Sequence, residues 1–461
     1  MIVAGQQSRQ ALIDAGDRPL VWDEDGGWRS ASDLLRTAHA LARALADRDL
    51  GGRRVGLWMW NSAATLEAHL AIEWIGATRV PVDPSAAAPE AQAVFDAASV
   101  DTVLVDGAHT DVLTDALVHD PEQRLAASGA VEPVQVDPDS TLLLYSRMAV
   151  AGELLAVPMS HRNWLAHMDL NLRLLREGWY GPPLGEDDLF VTAQQVMHAT
   201  GIVGTFPFLH AGLPQVVLRS FDADAFIDAV ERHDATSTFF VPGMVSRVAD
   251  AVRADNRALG LRRMLYGGAP FPITDLKAAV SAIGPALVQL YGRFEGGWPL
   301  TVLGVDEHDR IADGEDKLGA SCGRAVPGVE LDIRHVGEAG ELRVKGPTVV
   351  REYADPDGWC ALGDVVTLDE DYYYLHGRLD GMINTGSYHV YPAEVEQAIT
   401  AVSGVDAVRV RGEDDPVWGQ AVTAYVAGQT PLGEDELRQS LRQHIAAYKI
   451  PKRIHFVDRL P

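Results

Sequence analysis

The chain has 461 residues, 47% hydrophobic and 23% charged, and its 39 basic against 65 acidic side chains leave a formal charge of −26. A surface that acidic repels nucleic-acid phosphates and anionic membranes, so neither is an expected partner. The length predicts several domains, while two cysteines, Cys322 and Cys360, form neither a disulfide framework nor a metal-site spacing.

The N-terminus, "MIVAGQQSRQALIDAGDRP", has no basic leader followed by an apolar stretch, and no segment approaches the roughly 18 apolar residues of a membrane span. A cytoplasmic location is the expectation. Leu34, Ala38, Leu41 and Leu45 fall on one stripe and predict a helix capped by Ser30 or Ser32. "RRVGLWMW" then reads as a strand buried on both faces. A helix around Leu66, Leu70 and Trp74 leads to the strand "TRVPV", and another helix leads to "DTVLV". Strands separated by helices of ten to fifteen residues imply parallel crossover units.

In "LLLYSRMAVAGELLAVPMSHRN", a strand at Leu142–Tyr145 enters a loop, and Ser160–Asn163 is the polar cluster that caps a helix. Helix and strand alternate again through "FDADAFIDAVERHDATSTFFVP", and both "LRRMLYGGAPFP" and "PALVQLYG" end a strand in a Gly-rich turn, where open α/β sheets bind ligands. Short strands rich in Gly and Pro follow, as in "GELRVKG" and "YYYLHG", and the chain closes with a small α+β unit. The predicted fold is α/β. A large N-terminal domain of doubly wound parallel sheets spans 1–376, divided near 1–184, 185–319 and a small β-barrel-like subdomain at 320–376, and a small mobile α+β C-terminal domain spans 377–461.

These segments resemble, in order and over nearly the whole chain, the adenylate-forming superfamily of acyl-CoA synthetases, nonribosomal peptide synthetase adenylation domains and luciferases. The resemblance implies activation of a carboxylic acid by ATP to an acyl-adenylate, then transfer to a phosphopantetheine thiol or another nucleophile. "VMHATGIVG" would put His198 beside the acyl pocket as a catalytic gate; a buried structural histidine is the plainer reading. "YGGAP" would seat adenine at Gly267, Gly268, Ala269 and Pro270, and "QLYGRFEGG" would give Tyr291 at adenine and Glu295 as a catalytic Mg2+ ligand. "GWCALGD" ends in Asp364, matching the carboxylate that takes the ribose hydroxyls. "GRLDGMINTGSYHVYPAEVE" would contribute Arg378 to ribose or phosphate, Asp380 as the hinge pivot and Gly386 at the thiol tunnel. Away from this context Asp364 and Arg378 would read as an exposed ion pair worth little. "FFVPGM" supplies Val241, Pro242 and Gly243 to the expected acyl pocket, with His198, Gly267 and Phe294.

The phosphate half departs from the family pattern. Where relatives carry hydroxyls, glycines and a lysine, this chain runs from Ser146 to Ala156 with Ser146, Arg147 and Gly152 as remnants, and Arg147 is the only nearby cation in view. Phe294 replaces the threonine before Glu295, Leu362 replaces a threonine before Gly-Asp, and the sequence stops at Pro461, before the family's C-terminal lysine. Each lost donor is worth about 3 kcal/mol of transition-state stabilisation. The expectation is therefore an acyl-handling enzyme that takes a carboxylic acid or acyl thioester and CoA or a phosphopantetheine carrier protein, with adenylation lost or weakened and the use of AMP, ATP and Mg2+ in question. A working ATP-dependent acyl-CoA or carrier-protein ligase is the alternative, and a noncatalytic partner-binding relative is the third reading. An apolar pocket wall favours an aryl or fatty acid over an amino acid.

Overall fold

The computed structural model describes residues 4–109, 117–118, 131–148, 154–336, 339–378, 382–386, 388–390, 392–428 and 433–460. Two sheets build the large part of the chain. The first has six strands, in the order Leu117–Val118, Thr102–Val105, Arg54–Trp58, Thr78–Pro81, Thr141–Met148 and Leu154–Ser160. All its pairs are parallel except the last, which is a hairpin. The predicted crossovers are there: helix Ala31–Ala46 starts on a capping box between Ser30 and Asp33, and helix Ala63–Trp74 is buried on nearly every side between the sheets.

The second sheet has thirteen strands. At its centre Leu287–Arg293, Arg263–Gly267, Ser237–Phe240, Phe190–Thr192, Gln215–Val217 and Pro19–Asp23 lie parallel. Because Pro19–Asp23 pairs with Gln215–Val217, segment 1–184 lends strands to the sheet of 185–319 instead of closing separately. The piece expected to be barrel-like, 320–376, is an antiparallel extension of this sheet through Ser321–Ala325, Tyr372–Arg378, Cys360–Asp369, Ala339–Lys345 and Glu330–Val336.

One apolar core joins the facing sides of both sheets. Val55, Leu57, Leu142 and Met159 from the first meet Phe190, Leu265 and Val288 from the second, with Trp74, Trp164 and Phe206 from the helices between. Arg79 is fully buried here, 4.4 Å over the Trp164 ring and 3.4 Å from Glu73. The C-terminal part forms its own five-stranded sheet, covered by helices Pro392–Thr400 and Glu434–Leu441 around Val390, Val395, Val410, Val422 and Leu437. Among the described residues no helix is long and apolar enough to cross a membrane.

Candidate active site

The carboxyl ends of the parallel strands, where open α/β sheets form crevices, carry several of the residues singled out from sequence, while Asp364 and Arg378 come from the antiparallel strands Cys360–Asp369 and Tyr372–Arg378. Strand Arg263–Gly267 ends in the Gly-rich turn: a Cβ on Gly267 would overlap the Leu290 carbonyl oxygen, and Gly268 sits at φ +86°. Only glycine keeps Gly267 level with its neighbouring strand. Ala269 and Pro270 follow at the mouth of the crevice, and Val241, Pro242 and Gly243 lie at the end of the adjoining strand, where Val241 caps helix Pro242–Asp255.

Strand Leu287–Arg293 delivers Tyr291, whose hydroxyl donates to Asp364 Oδ2 at 2.6 Å. Arg378 Nη1 donates to Asp364 Oδ1 at 2.9 Å and to the Leu362 carbonyl at 3.1 Å. Tyr291, Asp364 and Arg378 thus meet as one cluster. The ion pair is no surface pair, since its side chains are only 3% and 11% exposed. Burial, reinforced by the Asp364 carboxylate, drives the Tyr291 phenol well above its ordinary value and keeps it a donor. Leu362, unexplained from sequence, is a core residue beside Leu300, Val344 and Val366, and contributes to the cluster only through its carbonyl.

Phe294 turns into an aromatic group. It stacks on Tyr145 with ring centres 3.6 Å apart and meets Trp298 edge-on at 4.9 Å, one wall of the expected acyl pocket. Tyr145 leads on to His198, which begins helix Ala199–His210. His198 Nδ1 lies 3.1 Å from the Tyr145 hydroxyl and Nε2 lies 2.8 Å from Asp83 Oδ2. Burial raises the Asp83 carboxyl, but hydrogen bonds and charge from His198 and the Ser85 contacts outweigh it, so the group stays below its ordinary value and ionised. An ionised carboxylate only accepts, so Nε2 carries a proton, and in the neutral imidazole Nδ1 is the acceptor for the Tyr145 hydroxyl. His198 is therefore part of a three-residue hydrogen-bonded chain, which a buried structural histidine need not be.

The hairpin Thr141–Met148/Leu154–Ser160 corrects the reading of the loop. Ser146 and Arg147 are strand residues opposite Ala156 and Leu155, so the strand runs three residues past Tyr145. Gly152 and Asp380 lie outside the described residues. Gly386 is described: its amide donates to the Trp418 carbonyl at 2.7 Å, within the C-terminal sheet. Glu295 follows Phe294 within the same turn and is buried. Among the described residues no three His, Cys, Asp or Glu side chains converge as a metal cage. Glu295 alone fits the usual Mg2+ pattern, in which one carboxylate shares the ion with phosphate oxygens.

Arg293, Asp83 and Tyr388 were missed from sequence. Arg147 is not the only cation: the Arg293 guanidinium is buried with Nη2 3.5 Å from Glu295 Oε1 and Nε 4.0 Å from Asp364 Oδ2. Asp83 was findable, because it stands two residues past strand Thr78–Pro81, at a carboxyl end. Tyr388 approaches from the C-terminal sheet, its ring edge-on to His198 at 5.1 Å and stacked on Tyr448 at 4.0 Å.

A family profile described as AMP-binding enzyme matches residues 3–354, and one described as AMP-binding enzyme C-terminal domain matches residues 394–461. A feruloyl-CoA synthase from Amycolatopsis sp is 31% identical over 93% of this chain and 90% of its own length. A 2-succinylbenzoate–CoA ligase from Bacillus licheniformis is 32% identical, the match covering 60% of this chain and 59% of that protein. Among solved structures, the amide bond synthetase McbA from Marinactinospora thermotolerans superposes with a TM-score of 0.85 at 26% identity, covering 98% of this chain and 96% of that one.

Proposed function

The chain belongs to the AMP-binding enzyme family, and on that premise we propose that it is a working AMP-forming ligase that joins an aromatic carboxylic acid to the thiol of CoA. This replaces the expectation that adenylation has been lost. Relatives matched along nine-tenths of their length are named as CoA synthases or ligases, so the doubt over ATP loses its support. The observation that carries the reading is the buried Tyr291–Asp364–Arg378 cluster beside Gly267. A buried carboxylate hydrogen-bonded by a phenol and a guanidinium, next to a turn that only glycine allows, suits a ribose and a purine.

Asp364 would take the ribose hydroxyls, the Gly267–Pro270 turn the adenine, and Glu295 the Mg2+, which supplies charge neutralisation at the phosphates. The aromatic wall of Tyr145, Phe294 and Trp298 suits a flat acyl group. Feruloyl, succinylbenzoyl and indoleacetyl relatives support the same substrate class. For the second half-reaction the Tyr145–His198–Asp83 chain offers a base. Tyr145 would take the acceptor's proton as its own passes to Nδ1, and Asp83 would hold the resulting imidazolium. An amine acceptor is the second reading, favoured by the likeness to an amide bond synthetase.

Substrate-dependent ATP–pyrophosphate exchange with cinnamic, benzoic and arylacetic acids tests the proposal. Exchange that rises at least tenfold with one aromatic acid is expected; no exchange with any acid at any pH from 6 to 9 would refute it.

A further inference from the structure

The site must neutralise a phosphate without the family's loop lysine or the threonine before Glu295, and the structure holds a cation that the sequence reading overlooked. Arg293 is the last residue of strand Leu287–Arg293, one strand end away from the Gly267 turn. Its side chain is 6% exposed and lies between Asp364 and Glu295, the carboxylates assigned above to the ribose and to Mg2+. In a nucleotide the α-phosphate stands between the ribose and the metal-bound phosphates. A guanidinium spanning the two carboxylates therefore occupies the α-phosphate position's border.

Arg293 is also poorly satisfied as it stands. Its closest approaches, 3.5 Å to Glu295 and 4.0 Å to Asp364, are too long for good hydrogen bonds, and Nε has no hydrogen-bond partner among the described residues. Asp364 does not need it, since Tyr291 and Arg378 already serve both of its oxygens. Burying a guanidinium with loose partners is costly unless something else completes its hydrogen bonds. A planar fork of donors whose hydrogen bonds are incomplete matches a phosphate's oxygens.

We propose that Arg293 binds the α-phosphate of the nucleotide and takes over the charge neutralisation that the altered loop and Phe294 no longer supply, an inference that rests on the nucleotide-site reading above. Isothermal titration of the full chain with AMP and with adenosine separates the two claims, using wild type, Arg293→Gln and Arg293→Lys. Wild type is expected to prefer AMP, Arg293→Gln to lose roughly 10- to 100-fold of that preference while keeping adenosine affinity within about twofold, and Arg293→Lys to recover part of it. An unchanged AMP preference in Arg293→Gln overturns the Arg293 assignment alone. A proportional loss of AMP and adenosine in both variants gives Arg293 a structural role and also overturns it. A wild-type chain that binds neither compound removes the nucleotide site itself, and the inference with it.

Discussion

Asp83, His198 and Tyr145 form the smallest unit on which the proposed chemistry turns. Each is held by a different element: the turn after strand Thr78–Pro81, the start of helix Ala199–His210, and strand Thr141–Met148. The depressed Asp83 carboxyl stays charged through neutral pH and can stabilise an imidazolium; an amide there cannot, and it also admits the wrong tautomer of His198. Asp83→Asn is therefore expected to slow acyl transfer to CoA by about 10² to 10³-fold while leaving ATP–pyrophosphate exchange within a few fold, as single-turnover measurements on each half-reaction would resolve. Equal losses in both half-reactions would mean that Asp83 only props the pocket.

At the scale of elements, the question is how the C-terminal sheet reaches the site. Lys449 ion-pairs with Glu90 of helix Ala88–Ala97 and, at 2.5 Å, with Glu394 of its own domain. Next to it Tyr448 stacks on Tyr388, which faces His198. Gly419 and the tip residue Val417 come up against Pro270 and Gly243. This arrangement brings the C-terminal sheet over the crevice beside His198 and the Gly267–Pro270 turn. Lys449→Gln leaves Glu90 and Glu394 buried together without their cation, and like charges so placed repel. Acyl transfer from a preformed acyl-adenylate is expected to fall about tenfold or more in this variant, with exchange spared; a transfer rate equal to wild type would show that the seat has no part in the second step.

The elements themselves were largely legible, because period and capping carry local information: the Ser30 cap, the buried "RRVGLWMW" strand and the Gly267 turn all stand where residue patterns put them. What escaped depends on partners far along the chain. Nothing near Pro19–Asp23 announces that it pairs with Gln215–Val217, and Ser146–Met148 reads as loop until Leu154–Ala156 is placed opposite it. Arg293 was overlooked because motif matching attends to the residue that has changed, Phe294, and the charge beside it becomes meaningful only once Asp364 and Glu295 are seen on either side. Asp364 and Arg378 were found by resemblance, but their burial, which sets them apart from an ordinary surface ion pair, appears only in three dimensions.

On the scale of the whole molecule, the acidic surface and the histidine-rich interior set the response to pH. Burial pushes His161, His167, His210 and His308 down to about 4, with the Arg79 charge assisting at His161 and His210. A group whose folded pKa is depressed below an unfolded value near 6.5 binds its proton more readily when the chain unfolds. Stability from these four sites is complete above about pH 6.5 and drains away as pH falls toward 4, by roughly 3 kcal/mol per site over the full window. Glu73 and Glu90, whose carboxyls burial lifts, act in the opposite sense, but the four imidazoles outnumber them. The urea midpoint is expected to be level from pH 7 to 8 and to fall steadily between pH 6.5 and 5; a midpoint that holds constant down to pH 5 would contradict the buried neutral histidines.

One stoichiometry decides the proposed ligase activity. With ATP, Mg2+, CoA and an aromatic acid that supports exchange, chromatographic quantitation of both products should find AMP and the aryl-CoA thioester formed in equal amounts through the time course. Thioester formed without AMP, or AMP released with no acyl product on any acceptor, would contradict it.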